Sequence, residues 1–242
     1  DHDALLITAL DSLCWLFNVR GADVEHTPLV LASALLFTDG RAVLFVDQGK
    51  VTDDVVTHLG SDVTVNPADG LGAAIDALDK TVKTIAVDKA TVSQWAADRL
   101  EAADLTVVSI EDPCSLPKAC KNETEINGIR AAHVRDGAAL TQFLAWLDQE
   151  APSGALTEMT AADQLERFRR RDNMLQGLSF PTISGAGANG AIVHYRATPE
   201  TDAAITGDML FLVDSGGQYL DGTTDVTRTV AIGTPTKEQR RR

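Results

Sequence analysis

The chain has 242 residues with a formal net charge of −14, a length that suits one or two domains and a charge that repels phosphate backbones, so nucleic acid is excluded as a general partner. No apolar run approaches the roughly 20 residues a membrane helix needs; the longest, the largely apolar Leu29–Phe37, is the length of a strand. Cys14, Cys114 and Cys120 are too few and too irregularly spaced for a disulfide framework and point to a reducing, cytoplasmic compartment.

In chain order, residues 1–112 alternate short apolar strands with amphipathic helices. Strands are predicted at Ala4–Ile7, Leu29–Thr38, Ala42–Val46, Val63–Val65, Thr84–Val87 and Leu105–Ile110, and helices at Asp11–Phe17, Asp53–Leu59, Leu71–Leu78 and Val92–Ala103. Asp39-Gly40 between two apolar runs marks a hairpin. This alternation predicts an α/β domain with a mixed sheet. Its histidines, His26 and His58, are isolated and carry no sign of a site.

A boundary is expected at Glu111–Pro117, where two prolines interrupt helix and sheet alike. Asn122-Glu123-Thr124-Glu125 then opens a helix with a capping-box pattern and runs to about Glu150. Its apolar face is read as Ile126, Ile129, Ala132, Val134, Ala138, Leu140, Phe143, Leu144 and Leu147, with His133 solvated among Arg130, Arg135 and Asp136. A second helix is expected over Thr157–Arg171, joined by Asp172–Leu178 to a sheet of Phe180–Ser184, Ala191–Tyr195, Met209–Ser215 and Thr224–Ile232. The second domain, 113–242, is therefore α+β: two helices, then antiparallel strands. Both ends look cut: Asp1 precedes a strand almost at once, and Thr234-Pro235 reads as the cap and first residue of a helix that stops at Arg242.

Two acids stand in apolar or β-branched surroundings, Asp214 after Phe211-Leu212-Val213 and Asp225 before Val226-Thr227. A carboxylate buried in a strand is costly unless a cation or donors compensate. The turn signal Asp221-Gly222 lies between them. In an antiparallel hairpin, directly paired residues share a face, and each strand repeats its face every second residue. With an even-length loop, paired numbers sum to an odd value. The sum of 214 and 225 is odd, so both carboxylates share one face; with Asp221-Gly222 as the loop, Asp225 opposes Gln218. Such a pair makes a hard-oxygen site for one or two divalent cations. The plainer alternative is that each acid caps a turn or pairs with Arg228. His194, in Asn189-Gly190-Ala191-Ile192-Val193-His194-Tyr195, is a third candidate, suited to proton transfer if it faces the acids and otherwise a core histidine. The string Gly185-Ala186-Gly187-Ala188-Asn189-Gly190 matches G-x-G-x-x-G, yet strand rather than helix is expected after it, which argues against a dinucleotide site.

These residues carry a resemblance. Asn189–Tyr195, Val213-Asp214-Ser215-Gly216 and Asp221-Gly222-Thr223-Thr224-Asp225-Val226-Thr227-Arg228-Thr229 resemble the Xaa-Pro aminopeptidase (aminopeptidase P) family, and Thr8–Val24 is similar to the middle domain of its three-domain subtype. The resemblance implies a creatinase-like middle domain followed by the first half of a pita-bread metallopeptidase domain. It also implies a dinuclear metal centre, Mn²⁺ in the first place with Zn²⁺ or Co²⁺ as alternatives. By it, Asp214 chelates one metal, Asp225 bridges both, and His194 contacts the substrate near the scissile bond. The substrates implied are peptides with proline second, and the full-length relatives suggest a homodimer. The family's other three ligands, one His and two Glu, come later in sequence, whereas the 17 residues after Asp225 hold no His and a single Glu, Glu238. The fragment alone is accordingly expected to be inactive. The competing reading is a pita-bread binding module that has lost its metals; creatinase-like and methionine-aminopeptidase activities are further alternatives within the enzymes.

Overall fold

The computed structural model describes residues 2–78 and 80–241; Asp1, Asp79 and Arg242, two of which end the chain, lie outside the described residues. The chain divides into two compact units, Asp1–Lys121 and Asn122–Arg242.

The first unit is built on six strands: β1 (Ala4–Ile7), β2 (Ala32–Phe37), β3 (Ala42–Val46), β4 (Val63–Pro67), β5 (Thr84–Val87) and β6 (Thr106–Ser109). They form one sheet in the order β4-β3-β2-β1-β5-β6. Strand β2 runs antiparallel to both neighbours and the remaining pairs are parallel, so the sheet is mixed, as expected. Gly40, at φ +91°, turns the β2–β3 hairpin, a left-handed conformation that glycine adopts without a steric penalty. Side chains alternate strictly between two cores. Leu6, Leu35, Phe45, Ile85 and Val87 pack with α3 (Leu71–Asp76) and α4 (Gln94–Ala102) through Ile75 and Leu100. Ile7, Ala34, Leu44 and Val46 pack on the other face with Leu13 and Cys14 of α1 (Leu10–Leu16). Each such fully buried aliphatic side chain contributes roughly 1.5–3 kcal/mol. Helix α2 (Asp53–Leu59) begins at a Thr52 cap and buries none of its residues. The unit continues past Pro113 through a short helix, α5 (Ser115–Ala119), which the sequence does not announce. Pro117 is its third residue, where the backbone N–H has no helical partner to lose.

In the second unit, α6 (Glu123–Glu150) opens with the expected capping box, Asn122 Oδ1 accepting from Glu125 N and Glu125 Oε2 from Asn122 N. The buried stripe of α6 is Ala132, Asp136, Ala139, Leu140, Phe143 and Leu147. Val134, expected on that face, is 73% exposed, and Ala138 is exposed too. The true stripe advances by three and four residues and passes through an aspartate, which an apolar-only pattern steps around. Helix α7 (Glu158–Arg169) starts at the Thr157 cap.

Six strands follow, in two three-stranded sheets, β11-β10-β7 and β12-β9-β8. Their ranges are β7 (Leu175–Leu178), β8 (Ile183–Ala186), β9 (Met209–Ser215), β10 (Gly217–Tyr219), β11 (Gly222–Thr223) and β12 (Val226–Ile232). Three expectations are corrected here. The segment Asp172–Leu178, read as a connection, contains β7. The strand expected from Phe180 begins only at Ile183, after Pro181, which has no N–H to place in a ladder. Ala191–Tyr195 is not a strand: a 3-10 turn over Gly187–Ala191 is followed by a bend at Ile192 and a turn at Val193-His194, with His194 at φ +54° and Val193 83% exposed. The Gly185–Gly190 string thus leads from a strand end into a 3-10 turn. At the far end, Thr236 rather than Thr234 makes the cap, exchanging hydrogen bonds with Gln239, and the described residues there form a 3-10 turn over Gln239–Arg241.

Candidate metal and active site

The candidate acids lie on one long antiparallel ribbon that serves both sheets of the second unit. Tyr219 pairs with Gly222 and Gln218 with Thr223 in β10–β11; farther out, Ser215 pairs with Val226 and Asp214 with Thr227 in β9–β12. Paired numbers sum to 441 throughout, so the register passes unbroken from one sheet to the other. The two-residue loop is Leu220-Asp221, one position earlier than the expected Asp221-Gly222. Counting along the register sets Asp225 level with Gly216, not with Gln218. Gly216 is two residues from Asp214, so by parity the expectation of one face for both carboxylates is unchanged by the shift of the turn; the strand expected from Thr224 begins at Val226, and Asp225 itself lies outside both ladders, at the crossing between the sheets.

That face is the half-open one. Phe211, Val213 and Ser215 point into the core, while Leu210, Leu212 and Asp214 alternate to the other side. Asp225 is exposed and Asp214 half-buried. Oδ1 of Asp214 is buried and has no hydrogen-bond partner among the described residues. An unpartnered buried carboxylate oxygen is costly, and a divalent cation is the partner its hard oxygen fits. Arg228 makes no ion pair with either aspartate among the described residues; its Nη1 donates to the Thr227 carbonyl instead. Asp221 has the structural role of a turn acid: it pairs with Arg135 of α6, whose Nε also lies 3.0 Å from Asp172.

The ribbon can change sheets only because position 216 is glycine. A Cβ there would lie 1.9 Å from the Thr224 carbonyl oxygen and 2.3 Å from Ser179 Oγ. At the same crossing, Thr224 Oγ1 takes the Gly217 N–H at 2.9 Å and the Thr224 N–H reaches the Gly217 carbonyl at 2.9 Å. Gly128 and Gly222 bring α6 against the turn: Cβ atoms there would meet Asp221 O at 2.3 Å and Ile129 Cα at 2.9 Å.

His194 lies in the excursion between β8 and β9. Gly190 of that excursion rides over Leu212, since a Cβ on it would come within 3.2 Å of Leu212 Cβ. The loop therefore crosses the same face of β9 that carries Asp214. His194 itself is exposed and left-handed, and it makes no hydrogen bond to either aspartate among the described residues. No group of three or more His, Cys, Asp or Glu converges on one point among the described residues.

Two buried polar centres beside this ribbon escaped the sequence reading. Arg169 donates through Nε and Nη2 to Asp136 at 2.6 and 3.1 Å, both side chains being almost wholly buried. Tyr219 OH donates to the same Asp136 Oδ1 at 2.8 Å, and burial together with that carboxylate pushes the phenol pKa far up. Glu158, wholly buried, accepts four hydrogen bonds from β8 and the His194 loop. Asp136 had a signal, its place four residues from both Ala132 and Leu140. Glu158 had none, because an acid just after a Thr cap looks like an ordinary helix start.

Comparison with known proteins agrees with this architecture. A family model described as the creatinase/prolidase N-terminal domain matches residues 1–125, and one described as metallopeptidase family M24 matches residues 127–242. The chain belongs to the creatinase/prolidase-type M24 metallopeptidase family. It is 41% identical over 244 residues to a probable Xaa-Pro aminopeptidase P of Neosartorya fischeri, covering 98% of this chain and 37% of that one. A probable Xaa-Pro aminopeptidase P of Laccaria bicolor is likewise 41% identical, over 99% of this chain and 37% of its own length. The M24 chain thus spans little more than a third of these curated relatives. Among solved structures, an X-prolyl aminopeptidase from Caenorhabditis elegans, described as a cytosolic enzyme with a dinuclear active site, superposes with a TM-score of 0.87 at 30% identity, over 98% of this chain and 40% of that one. A Xaa-Pro dipeptidase from Bacillus anthracis, at 18% identity and a TM-score of 0.80 over 99% of this chain and 63% of that one, shares the fold. The M24 unit is accordingly of the pita-bread kind and its partner unit creatinase-like.

Proposed function

We propose that the protein acts as an Xaa-Pro aminopeptidase, hydrolysing the bond between the first residue and a following proline at a site holding two divalent cations, Mn²⁺ in the first place. The observation that carries this reading is the buried Oδ1 of Asp214, without a hydrogen-bond partner among the described residues, in a chain of metallopeptidase lineage; the register count that would bring Asp225 to the same face supports it. Asp214 and Asp225 would hold the ions, supplying hard carboxylate oxygens of the type such ions take. When bound, the ions supply Lewis acidity, lowering the pKa of water and polarising a carbonyl. His194, presented on the exposed crest of its loop, would meet the substrate beside the scissile bond and donate a hydrogen bond to the charge that develops there. The 242 residues alone are expected to be inactive, because two carboxylates hold a hard divalent ion weakly. A cytoplasmic homodimer of the full-length protein acting on Xaa-Pro peptides completes the proposal.

The test uses the full-length protein. Release of the first residue from Xaa-Pro peptides should vanish with a chelator, return with Mn²⁺, and be lost in Asp214→Asn. A metal-replete protein with no such activity, whose partner binding is unchanged by Asp225→Asn, would identify a binding module instead.

A further inference from the structure

The excursion that carries His194 has almost nothing apolar to hold it. Ile192 and Val193 at its crest are 53% and 83% exposed. Its attachment is polar and converges on one residue. Glu158, the first residue of α7, is 0% exposed. Its Oε1 accepts from Ala186 N at 2.7 Å and Asn189 Nδ2 at 2.9 Å; its Oε2 accepts from Tyr195 OH at 2.8 Å and Ala203 N at 3.1 Å. A carboxylate has about four lone-pair positions and no proton to donate, and here all four positions are filled. Among the described residues no cation pairs with it; the donors and the positive end of α7 offset its burial. The four donors come from the end of β8, the 3-10 turn, the residue after His194 and the approach to β9. Asn189 Nδ2 also donates to Tyr195 OH at 2.9 Å, closing a ring of bonds around the base of the loop. The main chain of Glu158 joins in, its N–H donating to Ala203 O at 3.0 Å and its carbonyl accepting from Ser184 Oγ at 2.7 Å.

We infer that Glu158 is a positioning residue: its buried carboxylate fixes the loop 187–203, which crosses the Asp214 face of β9 at Gly190, and thereby the backbone that presents His194. This deepens the proposed function and rests on it for the role of His194. An exposed side chain without other contacts is aimed through its backbone, and Glu158 grips that backbone at Tyr195, the residue after His194, and at Asn189, five residues before it. Glutamine is nearly isosteric but brings an NH₂ group. Facing Tyr195 OH and Ala203 N–H, that group would set a donor against a backbone N–H that cannot reverse.

Two measurements test this. In full-length protein, hydrogen exchange read by mass spectrometry should speed up in Glu158→Gln across peptides spanning 186–203, with α6 and the first unit unchanged; Tyr195→Phe, which removes one donor, should do the same more weakly and covers the case in which Glu158→Gln fails to fold. Unchanged exchange in that loop would overturn the inference. In full-length protein, Glu158→Gln should lower kcat about 10- to 100-fold, the scale of a misplaced catalytic group, with KM and metal stoichiometry unaltered. The same substitution in a His194→Ala background should cause no further loss. An equal loss in both backgrounds would mean that Glu158 does not act through His194, overturning the positioning role. If His194→Ala is itself fully active, the role proposed for His194 fails, and the exchange result still decides whether Glu158 holds the loop.

Discussion

Replacing Asp136 by alanine should destabilise the second unit far more than an acid on a helix ordinarily would. In the native fold this carboxylate accepts from Arg169 Nε at 2.6 Å, Arg169 Nη2 at 3.1 Å and Tyr219 OH at 2.8 Å. The Arg169 side chain is 0% exposed, and its Nη1 has no hydrogen-bond partner among the described residues. Alanine leaves that guanidinium as an uncompensated buried charge, a situation that costs about 3–5 kcal/mol. The unpaired phenol of Tyr219 pushes the value towards the upper end. The second unit contains 121 residues, 122 to 242. At roughly 2.1 cal/mol/K per residue its unfolding entropy is about 0.25 kcal/mol/K, so a loss of about 4 kcal/mol lowers Tm by about 16 °C. Calorimetry of Asp136→Ala, with urea unfolding followed through the second unit, measures this. The double replacement Asp136→Leu/Arg169→Met should regain much of the loss, since removing both charges avoids the orphan. A Tm drop below about 4 °C, or a double variant no better than the single one, would refute the claim that this pair is buried and mutually dependent.

Gly216→Ala should misalign the ribbon at the sheet crossing, because the new Cβ would sit 1.9 Å from a backbone oxygen that cannot rotate away. The expected cost is about 3 kcal/mol, and metal affinity in full-length protein should fall with it, since Asp225 follows directly after the displaced Thr224. The chain has two tyrosines, Tyr195 and Tyr219, and burial followed by a neighbouring carboxylate raises both phenols. Their folded pKa values exceed the unfolded value near 10, so the folded state binds more protons above that pH. Stability therefore falls as pH rises through and beyond 10, and the rise in absorbance at 295 nm should come at higher pH in the folded protein than in the unfolded chain, latest for Tyr219. Asn122→Ala removes the acceptor of the α6 capping box and should lower stability by about 1 kcal/mol, read from the urea midpoint with m unchanged.

What the amino-acid order determined alone is whatever depends on neighbours a few positions apart. The alternating strands of the first sheet and the cap at Asn122 follow from short-range periodicity, as does the parity that predicts one face for Asp214 and Asp225. Parity is robust in this sense: the turn slid by one residue to Leu220-Asp221, yet the prediction is the same because the loop length stayed even. Other features needed the tertiary fold because the deciding partner is distant in sequence. Asp136 is buried because Arg169 and Tyr219 arrive from 33 and 83 positions away. Gly216 is obligatory because Thr224 folds back against it. Ala191–Tyr195 has the composition of a strand, yet it is drawn out of the sheet into an exposed loop tied down at Glu158, since hydrogen bonds to one buried carboxylate outweigh the weak β preference of five residues.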